Sequence, residues 1–412
     1  MIIHQPEIVP AGSEVRMQAR VETRAPNPGF PDSIWFSYPQ AYAHALSTRA
    51  DSPLAALVLV AMALGEDVEC RGEASPRLIY NLSEYQRVFY HWQPQLLQKV
   101  GIHAENLTPP PANQFSAGYA TTFSGGVNSF FTIQQMLTPS LKSPQWPLKY
   151  ALFLQGSPDL PLAYQRKFEY LAERYATLAQ ELNLEWIPVR TNLMRFAANR
   201  IPFNLLLEAP LVGAALGISP ILAGMVIPSG RMYERYKDAA AGPMTTYLVA
   251  TESFEVITHG GAFTRFAKTQ AISDWKPAQN NLRVCLDWHD DTDMNCCYCS
   301  KCLRTRMDLN VIGRLEKFTT LKSPFKFKDL ILWGSQMEIG FRGEKDYLEY
   351  AWKQRKELLP GILLGILVGT PLRLARKYSP NWIKKSVFCV TDENDPENTF
   401  VQNPDIPENL AE

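Results

Sequence analysis

The sequence carries no excess of either charge: 41 Lys and Arg balance 41 Asp and Glu across 412 residues. A chain without a net field has no global pull toward nucleic acid, so any basic binding surface would have to be local. Cysteine is sparse, with 7 residues in all, too few for a disulfide scaffold in a chain of this length. Four of the seven lie between Cys296 and Cys302, which points to metal and to a reducing compartment. Long apolar runs are also missing. The longest, Leu358–Gly369 (LLPGILLGILVG), has about twelve residues, whereas a helical bilayer span takes about twenty. Basic residues follow it at Arg373, Arg376, Lys377, Lys384 and Lys385. That pairing suits an interfacial helix, although the expectation is a buried helix packed on the main body. The N-terminal MIIHQPEIVPAGSEV has no basic start followed by an apolar core, so no secretory signal is expected and the default location is the cytoplasm. There is no internal repeat and no low-complexity tract.

What is present is enough chain for two to four domains, at roughly 100–200 residues each. The prolines at 109–111 cannot continue a helix or a central strand and read as a linker. Before them, Ser13–Thr23 and Ser33–Phe36 look strand-like, and Leu54–Gly65 and Leu82–Val100 carry apolar residues at helical spacing. After them, strands and helices alternate. Strands are expected at Ala117–Phe123, Tyr150–Leu154, Glu185–Arg190 and Pro220–Ile227, with helices at Val127–Leu137, Ala163–Leu184 and Asn204–Leu216. This pattern predicts an α/β domain with a doubly wound parallel sheet. Ligands bind such sheets at the carboxyl ends of the strands. The closing TDENDPENTFVQNPDIPENLAE has the polar, acidic composition of a poorly ordered terminus.

Two stretches carry chemistry. In YATTFSGGVNSFFTIQQM an expected strand runs into Ser124-Gly125-Gly126, and a helix follows at once. Glycines permit a tight turn and close backbone approach. The free amides of the helix start, with its dipole, favour phosphate, and Ser124 and Ser129 can add hydroxyl donors. The plainer alternative is a tight turn capped by Asn128 and Ser129. In CLDWHDDTDMNCCYCSKCLRTRM, Cys285 precedes Cys296-x2-Cys299-x2-Cys302. Four thiolates that converge in a tetrahedron suit Zn2+, with His289 as a substitute for Cys285 and Cys297 as a spare. The rival is an iron–sulfur cluster, but the position that follows three intervening residues after the third cysteine of the run, where a ferredoxin run places its fourth, holds Arg306.

The segment Ser124–Ser129, SGGVNS, resembles the SGGxDS loop of PP-loop (N-type) ATP pyrophosphatases. The resemblance implies an adenine nucleotide alpha hydrolase-like fold, with ATP split between its α and β phosphates and the phosphates held by Ser124, Gly125, Gly126, Val127, Asn128 and Ser129. Asn128 stands where that family has Asp, and an amide is a poorer magnesium ligand. The stretch GGAFTRFAKTQAISDW resembles the family segment whose Lys reaches the phosphates. Lys268 is the match, with Arg265 about one helical turn earlier; a solvated helix face is the alternative for both. Asp159, after the second strand, is the candidate carboxylate for Mg2+. The cysteine run is similar to the zinc site of 7-cyano-7-deazaguanine synthase-like proteins, which also follows the nucleotide domain.

The expectation is therefore an ATP-dependent, ligase-like enzyme that adenylates a carbonyl or carboxyl oxygen of a small molecule or modified base, using ATP, Mg2+ and Zn2+. A non-catalytic ATP-binding protein is the alternative. Four segments are expected: an α+β domain at 1–112, the nucleotide domain at 113–280, the four-cysteine segment at 281–330, and a helical extension with a flexible tail at 331–412. Expected partners are a small-molecule substrate of unassigned identity and further copies of the chain in a homo-oligomer. Nucleic acid is not favoured, and no membrane span is expected.

Overall fold

Strict alternation of apolar and polar residues shapes the N-terminal strands. The computed structural model describes residues 1–24, 29–111, 118–139, 146–157, 159–197, 200–202, 205–233, 242–285, 292–336 and 342–378. The chain opens with strands β1 (Ile2–His4), β2 (Glu7–Ala11), β3 (Glu14–Glu22) and β4 (Ser33–Pro39). In β3, Val15, Met17, Ala19 and Val21 point to the core and the residues between them do not, the period of two expected of a half-covered strand. Helix α1 (Asp51–Leu64) is apolar on every side and buried from Asp51 to Met62, as such a helix must be. Strand β5 (Val68–Ala74), helix α2 (Pro76–Trp92) and strand β6 (Ile102–Leu107) follow. The helix expected as far as Val100 thus stops at Trp92.

Beyond the prolines come β7 (Gly118–Thr122), α3 (Val127–Leu137), β8 (Leu148–Gln155), α4 (Gln165–Glu181), β9 (Glu185–Thr191), the short α5 (Met194–Ala197), α6 (Ala209–Gly217), β10 (Leu222–Pro228) and β11 (Glu255–His259). Among the expected positions, Ala117, Asn204, His289, Lys384, Lys385 and the acidic tail lie outside the described residues.

The described strands join one 11-stranded sheet, in the order β11-β10-β7-β8-β9-β4-β3-β1-β5-β6, with β2 paired to β3. The strands β7 to β11 are mutually parallel where they pair. They meet the N-terminal strands at one antiparallel seam, where Phe36 faces Thr191 and Ser37 faces Arg190. Side chains reinforce that seam. Arg190 pairs with Glu14 at 2.6 Å, and Asn192 accepts from the Trp35 amide at 2.9 Å and donates to the Ser33 carbonyl at 2.8 Å.

Helices cover both faces of the parallel strands, and β8 displays the division. Ala151 and Phe153 enter one core with Phe130 of α3 and Tyr175 of α4. Leu152 and Leu154 enter the other with α1 and α6. The fold is thus α/β, with a large sheet that is mostly parallel in this half and strands that alternate with helices.

The remaining helices are α7 (Arg265–Ile272), α8 (Lys276–Asn281), α9 (Ser300–Ile312), α10 (Phe327–Gln336), α11 (Arg342–Gln354) and α12 (Leu359–Tyr378). Phe266, Met307, Trp333, Tyr347 and Ile362 unite α7, α9, α10, α11 and α12 in a third core. Helix α12 crosses α10 where both carry glycine: a Cβ on Gly334 would stand 1.9 Å from the Gly365 carbonyl oxygen. The helix is only half-buried, since Leu363, Leu364, Leu367, Val368 and Leu374 are exposed. No described helix is long and apolar enough to cross a membrane.

Candidate functional site

Strand β7 is where the sheet order reverses, with β8 and β9 on one side and β10 and β11 on the other. The loop that leaves its carboxyl end is Ser124-Gly125-Gly126. Gly125 has φ +74°, and a Cβ there would lie 1.8 Å from the hydroxyl oxygen of Tyr175. Both the backbone angle and the space demand glycine. Gly126 is the N-cap of α3 and no side chain caps that helix, so its first amides are left for another acceptor. Ser124 is exposed. Ser129 is buried, and its hydroxyl donates to the Gly126 carbonyl at 3.0 Å.

Lys268 reaches this loop from α7. It is only 2% exposed, which removes the alternative of a solvated helix face. Its Nζ lies 3.4 Å from Asn128 Oδ1 and donates to the Ser229 carbonyl at 2.7 Å. Burial, and then the charge of Arg265, hold its pKa down to about 8. The carboxyl end of β11 completes the wall. His259 Nδ1 lies 2.9 Å from the Thr132 hydroxyl, and burial followed by the Lys268 charge lowers its pKa.

Two expected site residues have other engagements. Arg265 donates to the Thr305 hydroxyl of α9 at 2.9 Å, and burial lowers its pKa to about 10. It belongs to a polar cluster between α7, α9 and α11, in which buried Asp308 accepts from Thr269 at 3.0 Å and from Tyr347. Asp159 makes an exposed ion pair with Lys301, 3.8 Å away, beside the cysteines. The structure thus brings together Ser124–Ser129 and Lys268, and engages Arg265 and Asp159 elsewhere.

The cysteines converge. The sulfurs of Cys285, Cys296, Cys299 and Cys302 all lie within 4.8 Å of one another, with Cys285 to Cys299 at 4.0 Å and Cys296 to Cys302 at 3.9 Å. A tetrahedral ion with sulfur arms of about 2.3 Å needs edges of about 3.8 Å, so the four are placed to hold a metal ion such as zinc. Backbone amides support the sulfurs: Cys296 N–H donates to Cys285 Sγ at 3.4 Å and Cys299 N–H to Cys296 Sγ at 3.3 Å. Hydrogen bonding with Cys296 holds the Cys285 thiol down to about 7. Hydrogen bonding with Cys285, together with burial, pushes Cys296 and Cys302 up. A divalent cation is what lets all four ionise together.

Cys297 is turned away. It has φ +69°, and its sulfur bonds the Asn295 carbonyl at 3.5 Å and the Lys322 amide at 3.3 Å. Arg306 locks this turn, donating to the Cys297 carbonyl at 3.0 Å, the Lys322 carbonyl at 2.9 Å and Asp329 at 3.0 Å.

Sequence reasoning missed Ser229, His259, Tyr175 and Arg283, whose amide donates to the Gly125 carbonyl at 2.7 Å. The Ser-Gly pair that follows β10 was a turn signal at a strand end. The others have no local signature, because they meet the loop only through the fold. No protein-family model matches this chain, and no curated protein and no solved structure matches it.

Proposed function

We propose that this chain is an ATP-dependent, adenylate-forming enzyme of the PP-loop type, with a doubly wound nucleotide-binding sheet and a structural zinc ion on its four cysteines. The observation that carries the reading is the meeting of two features: the uncapped start of α3 behind Gly125-Gly126, and the buried amine of Lys268 3.4 Å from Asn128. Free amides and a helix dipole favour phosphate, and a desolvated ammonium beside them gains most from an anion. ATP, when bound, would supply the adenylyl group and the pyrophosphate leaving group. The amides of Gly126, Val127 and Asn128 and the amine of Lys268 would orient the phosphates and offset their charge, which is the main protein contribution in such chemistry. No open coordination position would remain at zinc with four protein ligands, which makes its role one of folding.

A second reading is favoured by a specific observation. Asn128 carries no charge, and Asp159, the expected carboxylate for Mg2+, is paired with Lys301. On this reading the chain binds ATP without turnover, as a regulator or assembly partner. Thermal stability with ATP or pyrophosphate, with and without Mg2+, tests what the readings share, and pyrophosphate release over a panel of carboxylic acids with ammonia separates them. An unchanged melting temperature under every ligand condition would overturn both.

A further inference from the structure

Arg283 lies between the two features of the site. Its amide donates to the Gly125 carbonyl at 2.7 Å, and its own carbonyl would stand 3.7 Å from a Cβ on Gly126. Its side chain is buried, at 6% exposure, yet neither Nε nor Nη2 has a hydrogen-bond partner among the described residues. The guanidinium charge acts on the Tyr175 hydroxyl, the same atom that a Cβ on Gly125 would strike. This puts a buried cation with two idle donors beside the glycine turn. A buried guanidinium with idle donors is costly, and its planar fork matches phosphate oxygens.

Arg283 is also tied to the cysteines. Two residues on is Cys285. Between them the Val284 amide donates to Asn295 Oδ1 at 2.8 Å, and Asn295 Nδ2 donates back to the Leu282 carbonyl at 2.8 Å. The Cys302 thiol points to the same Asn295 oxygen at 3.8 Å. Whatever fixes Cys285 and Cys302 therefore fixes the backbone that carries Arg283.

We propose that Arg283 is a phosphate ligand of the Ser124–Ser129 loop and that a metal ion on the four cysteines sets its position, so that metal occupancy governs nucleotide affinity. The inference rests on the nucleotide-loop reading above and adds a residue and a control to it. Arg283→Gln removes the charge, and Arg283→Lys keeps the charge without the fork.

The test is calorimetry of inorganic pyrophosphate and of ATP with the full zinc-loaded chain, alongside metal content by elemental analysis. Arg283→Gln should lose about ten- to hundredfold in affinity, the range for a hydrogen bond to a charged group, while it keeps its zinc. Arg283→Lys should lose less, and it decides the matter if Arg283→Gln does not fold. Wild type stripped by a chelator should lose affinity to a similar degree and regain it with added zinc. If the variants bind pyrophosphate as wild type does, Arg283 is not a ligand and the loop reading survives. If the stripped chain binds as the loaded one does, the metal exerts no control. If wild type binds neither probe, the loop reading falls together with this one.

Discussion

Lys268 Nζ stands 3.4 Å from Asn128 Oδ1, so a buried ammonium at the glycine loop faces a neutral amide. The pairing defines what substitution at Asn128 will do. In Asn128→Asp a carboxylate would face the lysine and raise its pKa from about 8 toward its ordinary value of 10.5. If the site lacks only a metal ligand, that variant should gain Mg2+-dependent ATP binding. Titration with and without Mg2+ reads the difference, and a Mg2+-independent result would show that Asn128 does not limit the site.

The lysine also makes a pH prediction. Its folded pKa is about 8 against 10.5 for the free group, so the folded chain releases this proton first. Between those values the unfolded chain binds more protons, and stability should rise with pH. Below about 8 both states are protonated and the contribution is flat. Lys268→Met should remove the rise, as followed by urea midpoints from pH 7 to 10.5. Phosphate binding should draw a proton back onto Lys268. Calorimetry near pH 8.5 in buffers of different ionisation enthalpy should then show proton uptake in wild type and none in Lys268→Met.

The two glycines of the loop should fail in different ways. Gly125→Ala drives a methyl into Tyr175 and forces a left-handed angle on alanine, so it should destabilise the fold by about 1–3 kcal/mol. Gly126→Ala comes no closer than 3.3 Å, to the Ser124 hydroxyl, with the Arg283 carbonyl at 3.7 Å, so it should fold normally. Any loss of ATP binding in Gly126→Ala then reports the ligand cradle itself. Equal melting temperatures for the two variants would contradict this assignment.

Serine at Cys296, Cys299 or Cys302 should release the metal and unfold the segment around it, because binding energy at such a site is folding energy. Cys297→Ser should retain about one zinc per chain, since that sulfur is directed at Asn295 and Lys322. Elemental analysis with far-ultraviolet dichroism distinguishes the four. A brown preparation that contains iron would replace zinc with a cluster.

Arg306→Met should be severe although it touches no ligand. It would leave Asp329 as a buried carboxylate without its cation and release the Cys297 carbonyl of the cysteine turn and the Lys322 carbonyl. Breaking one side of such a pair costs about 3–5 kcal/mol. Asp329→Leu in the same chain should recover part of the lost urea midpoint.

How far the sequence disclosed this arrangement depended on whether each signal was local. Helix α3 was legible to the residue because Gly126 and the apolar Val127, Phe130, Phe131 and Ile133 mark its start and its buried face. The four-cysteine cluster was legible because two-residue spacing constrains where sulfurs can point. Strand β5 alternates perfectly between buried and exposed, yet its sequence VECRGEA places Cys, Gly and Ala at three of its buried positions and so hides the pattern. Lys268 was singled out through the resemblance of its segment to a known family stretch, and its burial could not have been read from the mixed polar and apolar helix around it. Arg283 has no signature at all, because its importance comes from a backbone hydrogen bond to a residue 158 positions earlier.

The seam between β4 and β9 sets a limit on how this molecule can be divided. Severing the chain near the prolines at 109–111 would strip β4 from β9 and leave a bare row of backbone donors and acceptors beside Arg190 and Thr191. Uncovered edges of that kind recruit other strands. The C-terminal piece expressed alone should therefore self-associate through β9, and co-expression with the N-terminal piece should suppress that association. The same break point offers a split protein whose halves recombine along that strand pair and through the core that α1 shares with α6.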